Sequence, residues 1–142
     1  MKVYIASDHA GYEMKEVIKN HFSPEFEWED LGTHSSESVD YPDYAHPLAE
    51  AVAKSSESRA VLLCGTGNGV AMTANKHADV RAALCWNTEI AALARQHNNA
   101  NVVVLPARFI SKEEAFAIVE TFFNTLFEGG RHARRVEKIN IR

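Results

Sequence analysis

Cysteine is scarce. The 142-residue chain has two, Cys64 and Cys85, too few for a small scaffold stapled by disulfides, so both read as free thiols in a reducing cytoplasm. Proline is equally rare at four residues, which excludes a Pro-rich extended or collagen-like chain. No apolar run approaches the roughly 20 residues that a membrane helix needs, so no membrane partner is expected. The start of the chain turns polar at Ser7, too early for the apolar region of a signal peptide. Basic residues are not in excess either. The formal net charge is −4, which argues against general nucleic-acid binding. Repeats, low-complexity stretches and linkers are missing as well. What remains is ordinary: 46% hydrophobic and 24% charged residues suit one domain, residues 1–142, that buries its own core.

The charge is unevenly spread. Residues 1–50 carry 11 Asp/Glu against 3 Lys/Arg, a net of −8, while residues 131–142 carry Arg131, Arg134, Arg135, Lys138 and Arg142 against Glu137, a net of +4. A basic tail on an acidic chain reads either as a solvated end or as an anion site, for a phosphate before DNA.

Strand-like and helix-like runs alternate along the chain. Strands are expected at Val3–Ser7, Phe26–Leu31, Ala60–Cys64, Arg81–Cys85 and Asn101–Leu105. Three of these are nearly continuous apolar runs, as in strands covered on both faces. Helical stripes fall between them. Met14, Val17, Ile18, His21 and Phe22 form one, and Ala45, Leu48, Ala49, Val52 and Ala53 a second, whose Pro47 is expected in the first turn. Ile90, Leu93, Ala94 and His97 form a third, and Ser111 and Glu114 make a capping box before a fourth, Ala115 to Leu126. This rhythm predicts an α/β sandwich with a mostly parallel sheet, where ligands bind beyond the carboxyl ends of the strands.

The strand ends are therefore the places to search. Ser7-Asp8-His9-Ala10-Gly11 follows the first strand. Its Asp8 is either a helix N-cap or a functional acid beside His9. Cys64-Gly65-Thr66-Gly67-Asn68-Gly69 follows the third, and its three alternating glycines permit a tight turn that presents N–H groups to an anion or developing oxyanion. Val70 stands where a dinucleotide fingerprint needs its last glycine and where a Cys-loop phosphatase needs arginine. No Gly-Lys-Ser/Thr follows for a nucleotide-phosphate loop. Cys64 is thus either a general base or a small buried residue closing an apolar strand. Cys85, with no glycine loop behind it, reads as plain core.

His97 continues an apolar stripe and so points inward or into a cleft. Gly129-Gly130 breaks the last long helix and starts a short one, on which Arg131 and Arg135 share a face. Two adjacent guanidinium forks suit one phosphate. The seven histidines show no H-x-x-x-H or H-E-x-x-H spacing and no Cys-x-x-Cys accompanies them, so no metal is expected.

Taken together, six motifs resemble the type B ribose-5-phosphate isomerases, in a wider family that includes galactose-6-phosphate isomerase subunits. They are SDHAG at 7–11, DYPDYA at 40–45, CGTGNG at 64–69, ANK at 74–76, ARQHNNANV at 94–102 and GGRHARRV at 129–136. The resemblance implies aldose–ketose isomerisation of ribose 5-phosphate through an enediolate, without metal or other cofactor. It implies Cys64 as the base between C1 and C2, Thr66 beside the reacting carbons, and the amides of Gly65, Gly67, Asn68 and Gly69 on the enediolate. His97 would open the sugar ring with Asp8 assisting, and Asn98 and Tyr41 would contact the sugar. His9, Arg131, Arg135 and Arg108 would hold the phosphate. Allose 6-phosphate or galactose 6-phosphate as substrate, and a sugar-phosphate binder without catalysis, stay as alternatives. A cytoplasmic homodimer or tetramer with shared sites follows from the same resemblance. So does a five-stranded Rossmann-like sandwich of order 2-1-3-4-5, with a C-terminal helix reaching the partner.

Overall fold

Valine, isoleucine, leucine and alanine fill the interior strands in the computed structural model, which describes residues 1–141. Arg142 of the basic tail lies outside the described residues. The strands are β1 (Lys2–Ser7), β2 (Glu27–Asp30), β3 (Ala60–Cys64), β4 (Ala82–Leu84) and β5 (Val102–Pro106). The helices are α1 (Tyr12–His21), α2 (Pro42–Ala53), α3 (Asn68–Ala74), α4 (Thr88–Asn98), α5 (Lys112–Asn124) and α6 (Arg131–Glu137). A single 3-10 turn, His9–Gly11, precedes α1. No helix among the described residues is long and apolar enough to cross a membrane.

All strand pairs are parallel, and successive side chains point to opposite faces of the sheet. Val3, Ile5, Val61, Leu63, Val103 and Leu105 pack on one side with Ile18 of α1, Ala91 and Ala94 of α4, and Ile118 and Phe122 of α5. Ala6, Leu62, Val102 and Val104 pack on the other with Leu48 and Val52 of α2 and Val70 and Ala74 of α3. The result is a three-layer sandwich whose sheet is covered on both faces.

Two expectations are corrected. The strand order is β2-β1-β3-β5-β4, not 2-1-3-4-5. β5 is buried along its whole length, whereas β4 has three residues and is only half-buried. The longer apolar strand takes the interior position and the short one the edge, where unpaired backbone is less costly. Pro47 lies beyond the first turn, because α2 already begins at Pro42. Asp43, whose carbonyl Pro47 cannot bond, and Pro47 itself are on the exposed side of the helix, where an unpaired carbonyl is least costly. The capping box forms as expected. Ser111 Oγ accepts from the Glu114 N–H at 3.1 Å, and Glu114 Oε1 accepts from the Ser111 N–H at 2.9 Å.

Lys15 ties α1 to the edge strand β2. Its side chain is 0% exposed and its ammonium donates to both oxygens of Asp30, at 2.8 and 2.6 Å. Lys19 adds a bond of 2.7 Å and the Gly32 N–H one of 2.9 Å. Burial pushes the Asp30 carboxyl up, but the donors from Lys15, Lys19 and Gly32 outweigh it and hold the group below its ordinary range. Its ionised form therefore stabilises the fold above the ordinary carboxylate pKa, and that contribution fades as pH falls through the lowered value. Asp30→Asn strands the buried Lys15 charge and is expected to lower unfolding free energy by about 3 kcal/mol or more at pH 7. Urea denaturation checks this, and equal stability of the variant at neutral pH would show that the pair contributes nothing.

Candidate active site

The turns after β1, β3 and β5 lie side by side, since Ser7 is in register with Leu63 and Cys64 with Pro106. The strand order reverses between β1 and β3, with β2 added on one side of β1 and β3 on the other, which opens a crevice at the carboxyl ends of the strands. Cys64 ends β3 there and is 5% exposed. Its Sγ accepts the Gly67 N–H at 3.2 Å. The Thr66 hydroxyl oxygen accepts the Asn68 N–H at 3.2 Å. Two of the five loop amides therefore have partners within the loop. Gly67 adopts φ 80°, the left-handed region, and a Cβ there would also meet Leu84 and Val104, so only glycine fits on both counts.

The other carboxyl-edge residues converge on this loop. Asp8 is buried and caps the 3-10 turn, with Oδ1 accepting the Gly11 N–H at 3.1 Å. His9 Nδ1 accepts the Val39 N–H at 3.1 Å, which leaves Nε2 to carry the proton of the neutral ring. Tyr41 lays its ring on Gly69, where an added Cβ would lie 2.6 Å from Cε1. Arg108 covers Gly65, with Cδ and Nη1 at 3.2 and 3.3 Å from the same construction. The observed strand order explains that last contact: β5 is next to β3, so the Ala107 and Arg108 N–H groups bond to the Cys64 and Gly65 carbonyls at 2.9 and 3.0 Å.

His97, Asn98 and Arg135 are not in that crevice. They line a separate cleft of about 310 Å³ with His132, Val136 and Ile139. His97 stacks on His132, with ring centroids 4.3 Å apart and planes 12° from parallel. Gly130, at φ 56°, makes the turn that returns α6 onto α4. The expectation that His97 enters a cleft is met.

The two groups occupy opposite ends of the sheet. The turn after α4 leads straight into β5, and the Asn101 carbonyl accepts the N–H of Ala60, the first residue of β3. Cys64 is the last residue of β3, so about 13 Å of strand separates the two edges. Asp8, His9, Tyr41, Cys64, Gly65, Thr66, Gly67, Asn68, Gly69 and Arg108 form the carboxyl-edge group. His97, Asn98 and Arg135 belong to the amino-edge group, with Arg131 one turn before Arg135 on the exposed side of α6.

Reading the sequence missed His132 and Glu128. Potential ligand atoms of His97, Glu128 and His132 lie within 4.8 Å of one another, and His132 Nε2 is 3.6 Å from Glu128 Oε1. This is a donor set that a divalent metal uses. Burial, then His97 and Arg131, push the His132 imidazolium down, with Arg135 adding to them and Glu128 opposing them. The signal in the sequence is the i, i+4 spacing of Glu128 and His132, interrupted by Gly129-Gly130. Cys85 is core, as expected, and burial pushes its thiol up to about 12.

A thiol in the crevice at the switch point of a parallel sandwich stands where such folds bind small ligands, and comparison with known proteins gives the class, an isomerase of phosphorylated sugars. Residues 3–139 match the family described as Ribose/Galactose Isomerase. The chain is 52% identical to a crystallised ribose 5-phosphate isomerase from Thermotoga maritima, over 97% of this chain and 96% of that one, with a TM-score of 0.94. It is 46% identical to the ribose-5-phosphate isomerase B of Mycoplasma genitalium with bound ribulose-5-phosphate, over 97% and 93% of the two chains, again with a TM-score of 0.94. A probable ribose-5-phosphate isomerase B from Mycoplasma pneumoniae is 46% identical over 96% of this chain and 91% of that one. The protein belongs to the ribose/galactose isomerase family.

Proposed function

We propose that the protein interconverts ribose 5-phosphate and ribulose 5-phosphate as a type B ribose-5-phosphate isomerase. The observation that carries this reading is the near full-length likeness to the Mycoplasma genitalium structure with bound ribulose-5-phosphate. In this reading His97 opens the furanose ring by moving a proton between the anomeric hydroxyl and the ring oxygen, assisted by Asp8. Cys64 then takes the C2 proton as a thiolate. The loop amides and Asn98 hold the enediolate, with Thr66 beside the reacting carbons and Tyr41 along the sugar. The proton on O2 passes to O1 and Cys64 returns its proton to C1, which leaves a hydroxyl at C1 and a carbonyl at C2. His9, Arg108, Arg131 and Arg135 hold the phosphate. No step calls for a metal or a cofactor. The two cysteines are free, consistent with work in the cytoplasm.

This chemistry requires a second copy of the chain. Cys64 and His97 of one chain cannot touch one pentose from opposite ends of the sheet. The amino-edge group of one subunit, α6 included, therefore faces the carboxyl-edge group of its partner in a homodimer. A tetramer of two such dimers meets the same requirement. Met72, Trp86 and Phe109, exposed toward the carboxyl-edge side of the chain, are apolar surface that such a contact would cover.

Comparing kcat/KM on ribose 5-phosphate, allose 6-phosphate and galactose 6-phosphate tests the substrate. The five-carbon sugar is expected to win, and a clear preference for a six-carbon one overturns the assignment. Binding of ribose 5-phosphate with no exchange of its C2 proton would instead mark a non-catalytic binder. Arg131→Ala and Arg135→Ala are each expected to raise KM about 10- to 150-fold, the value of a charge-assisted hydrogen bond. Lysine at either position should recover part of this, since it lacks the planar fork. Arg134, about 100° around α6 from Arg135, should tolerate alanine. Steady-state kinetics on the purified variants decides.

A further inference from the structure

Arg95 is a buried cation with no acidic partner among the described residues. It is 4% exposed, and its three hydrogen bonds all go to neutral oxygens. Nε donates to the Thr125 carbonyl at 3.1 Å, and Nη1 donates to Asn99 Oδ1 at 2.9 Å and to the Ala100 carbonyl at 2.6 Å. The guanidinium also lies 5.7 Å over the Phe122 ring. Burial, then Arg59 and Arg81, push Arg95 down to about 10, so it is still charged at neutral pH. A buried charge beside two other cations costs stability, and it stands two residues before His97.

Its three acceptors show what the arrangement fixes. Asn99 is the left-handed residue that ends α4, at φ 48° and ψ 43°, and Arg81 Nε grips its carbonyl at 2.8 Å. Ala100 starts the run into β5. Thr125 belongs to the segment joining α5 to α6, and the Glu128 N–H of that segment bonds to the Gln96 carbonyl at 3.1 Å. Arg95 and Gln96 thus anchor both ends of residues 125–128. Beyond that anchor come Gly129, Gly130 and the seven-residue α6, too short a helix to hold itself in place. Its far end is tied down by Asn140, which bonds to Asp79, and its near end by the anchor at residues 125–128.

We propose that Arg95 is the positioning residue that fixes the His97–Asn98 turn and the α6 phosphate clamp as one unit. The inference rests on the roles given to His97, Asn98, Arg131 and Arg135 in the proposed function. Arg95 touches no substrate. It sets where those groups are carried.

The test uses Arg95→Met, which keeps an unbranched apolar stem and removes the charge, and Arg95→Lys, which keeps the charge but cannot span three acceptors. Turnover of ribose 5-phosphate is compared with solvent-deuterium exchange into ribulose 5-phosphate. The ketose has no ring to open, because the hydroxyl that would close its furanose carries the phosphate. Both variants should fold, by thermal unfolding. Turnover should fall about 10- to 100-fold, the scale of a misplacement near 1 Å, with a rise in KM. Exchange at saturating ketose should fall less than turnover, because it bypasses the ring opening by His97 and because the amides around Cys64, at the other edge of the sheet, still hold the enediolate when Asn98 is displaced. If Arg95→Met unfolds, Arg95→Lys carries the comparison. Unchanged turnover in a folded variant overturns the proposal, as does exchange falling in step with turnover. A wild-type protein without isomerase activity would count against the proposed function itself, so the two failures are distinguishable.

Discussion

Cys64→Ala is expected to lower kcat by about three orders of magnitude or more while substrate affinity stays within a few-fold. General-base catalysis contributes about 10²- to 10⁴-fold, and lost positioning adds to this. The sulfur acts on the C2 hydrogen only as the transition state forms, so removing it leaves ground-state contacts to the sugar and phosphate in place. The substitution also removes the acceptor of the Gly67 N–H. That amide is buried, so the variant loses one buried hydrogen bond, about 1–3 kcal/mol, which the fold should survive. Solvent-deuterium exchange into ribulose 5-phosphate should vanish along with turnover, because both use the same base. If Cys64→Ala kept most of its activity, the base would have to be another group, and the buried Asp8 beside it would be the first to examine.

Much of the carboxyl-edge group was legible in the sequence, because each residue there follows a strand. AVLLC ending in a glycine loop, and VYIAS ending in Asp8-His9, are local patterns whose position in a parallel sheet is fixed by rule. Strand order was not legible in the same way. It depends on which crossover each helix makes, and Ala82–Leu84 and Val102–Pro106 both read as apolar strands. Their unequal burial decides the order, and burial belongs to the assembled sheet. The amino-edge group was readable residue by residue but not as a place. His97 sits at the end of a helix that leads into β5, which by topology puts it at the edge opposite Cys64. The resemblance implies sites shared between subunits, but the motifs do not say which residues lie at which edge of the sheet. His97 and His132 are 35 positions apart in sequence, yet their rings stack, and His46 Nδ1 lies 2.7 Å from His77 Nε2. Spacing along the chain does not report such pairs, because turns such as Gly129-Gly130 create them.

The separation of Cys64 from His97 makes subunit mixing the most direct test of a functional unit that needs two chains. A Cys64→Ala protein and an Arg131→Ala/Arg135→Ala protein are each expected to be nearly inactive. When they exchange subunits, one site of every mixed dimer gathers all the defects and the other gathers none. Random exchange of equal amounts makes half of the dimers mixed, so activity should rise to about a quarter of the wild-type rate. Labelled subunits establish that exchange has occurred. Activity returning in step with mixed dimers is the result predicted here. Complete exchange with no return of activity would mean that the arginines serve the Cys64 of their own chain, which contradicts a site built from opposite edges of two sheets.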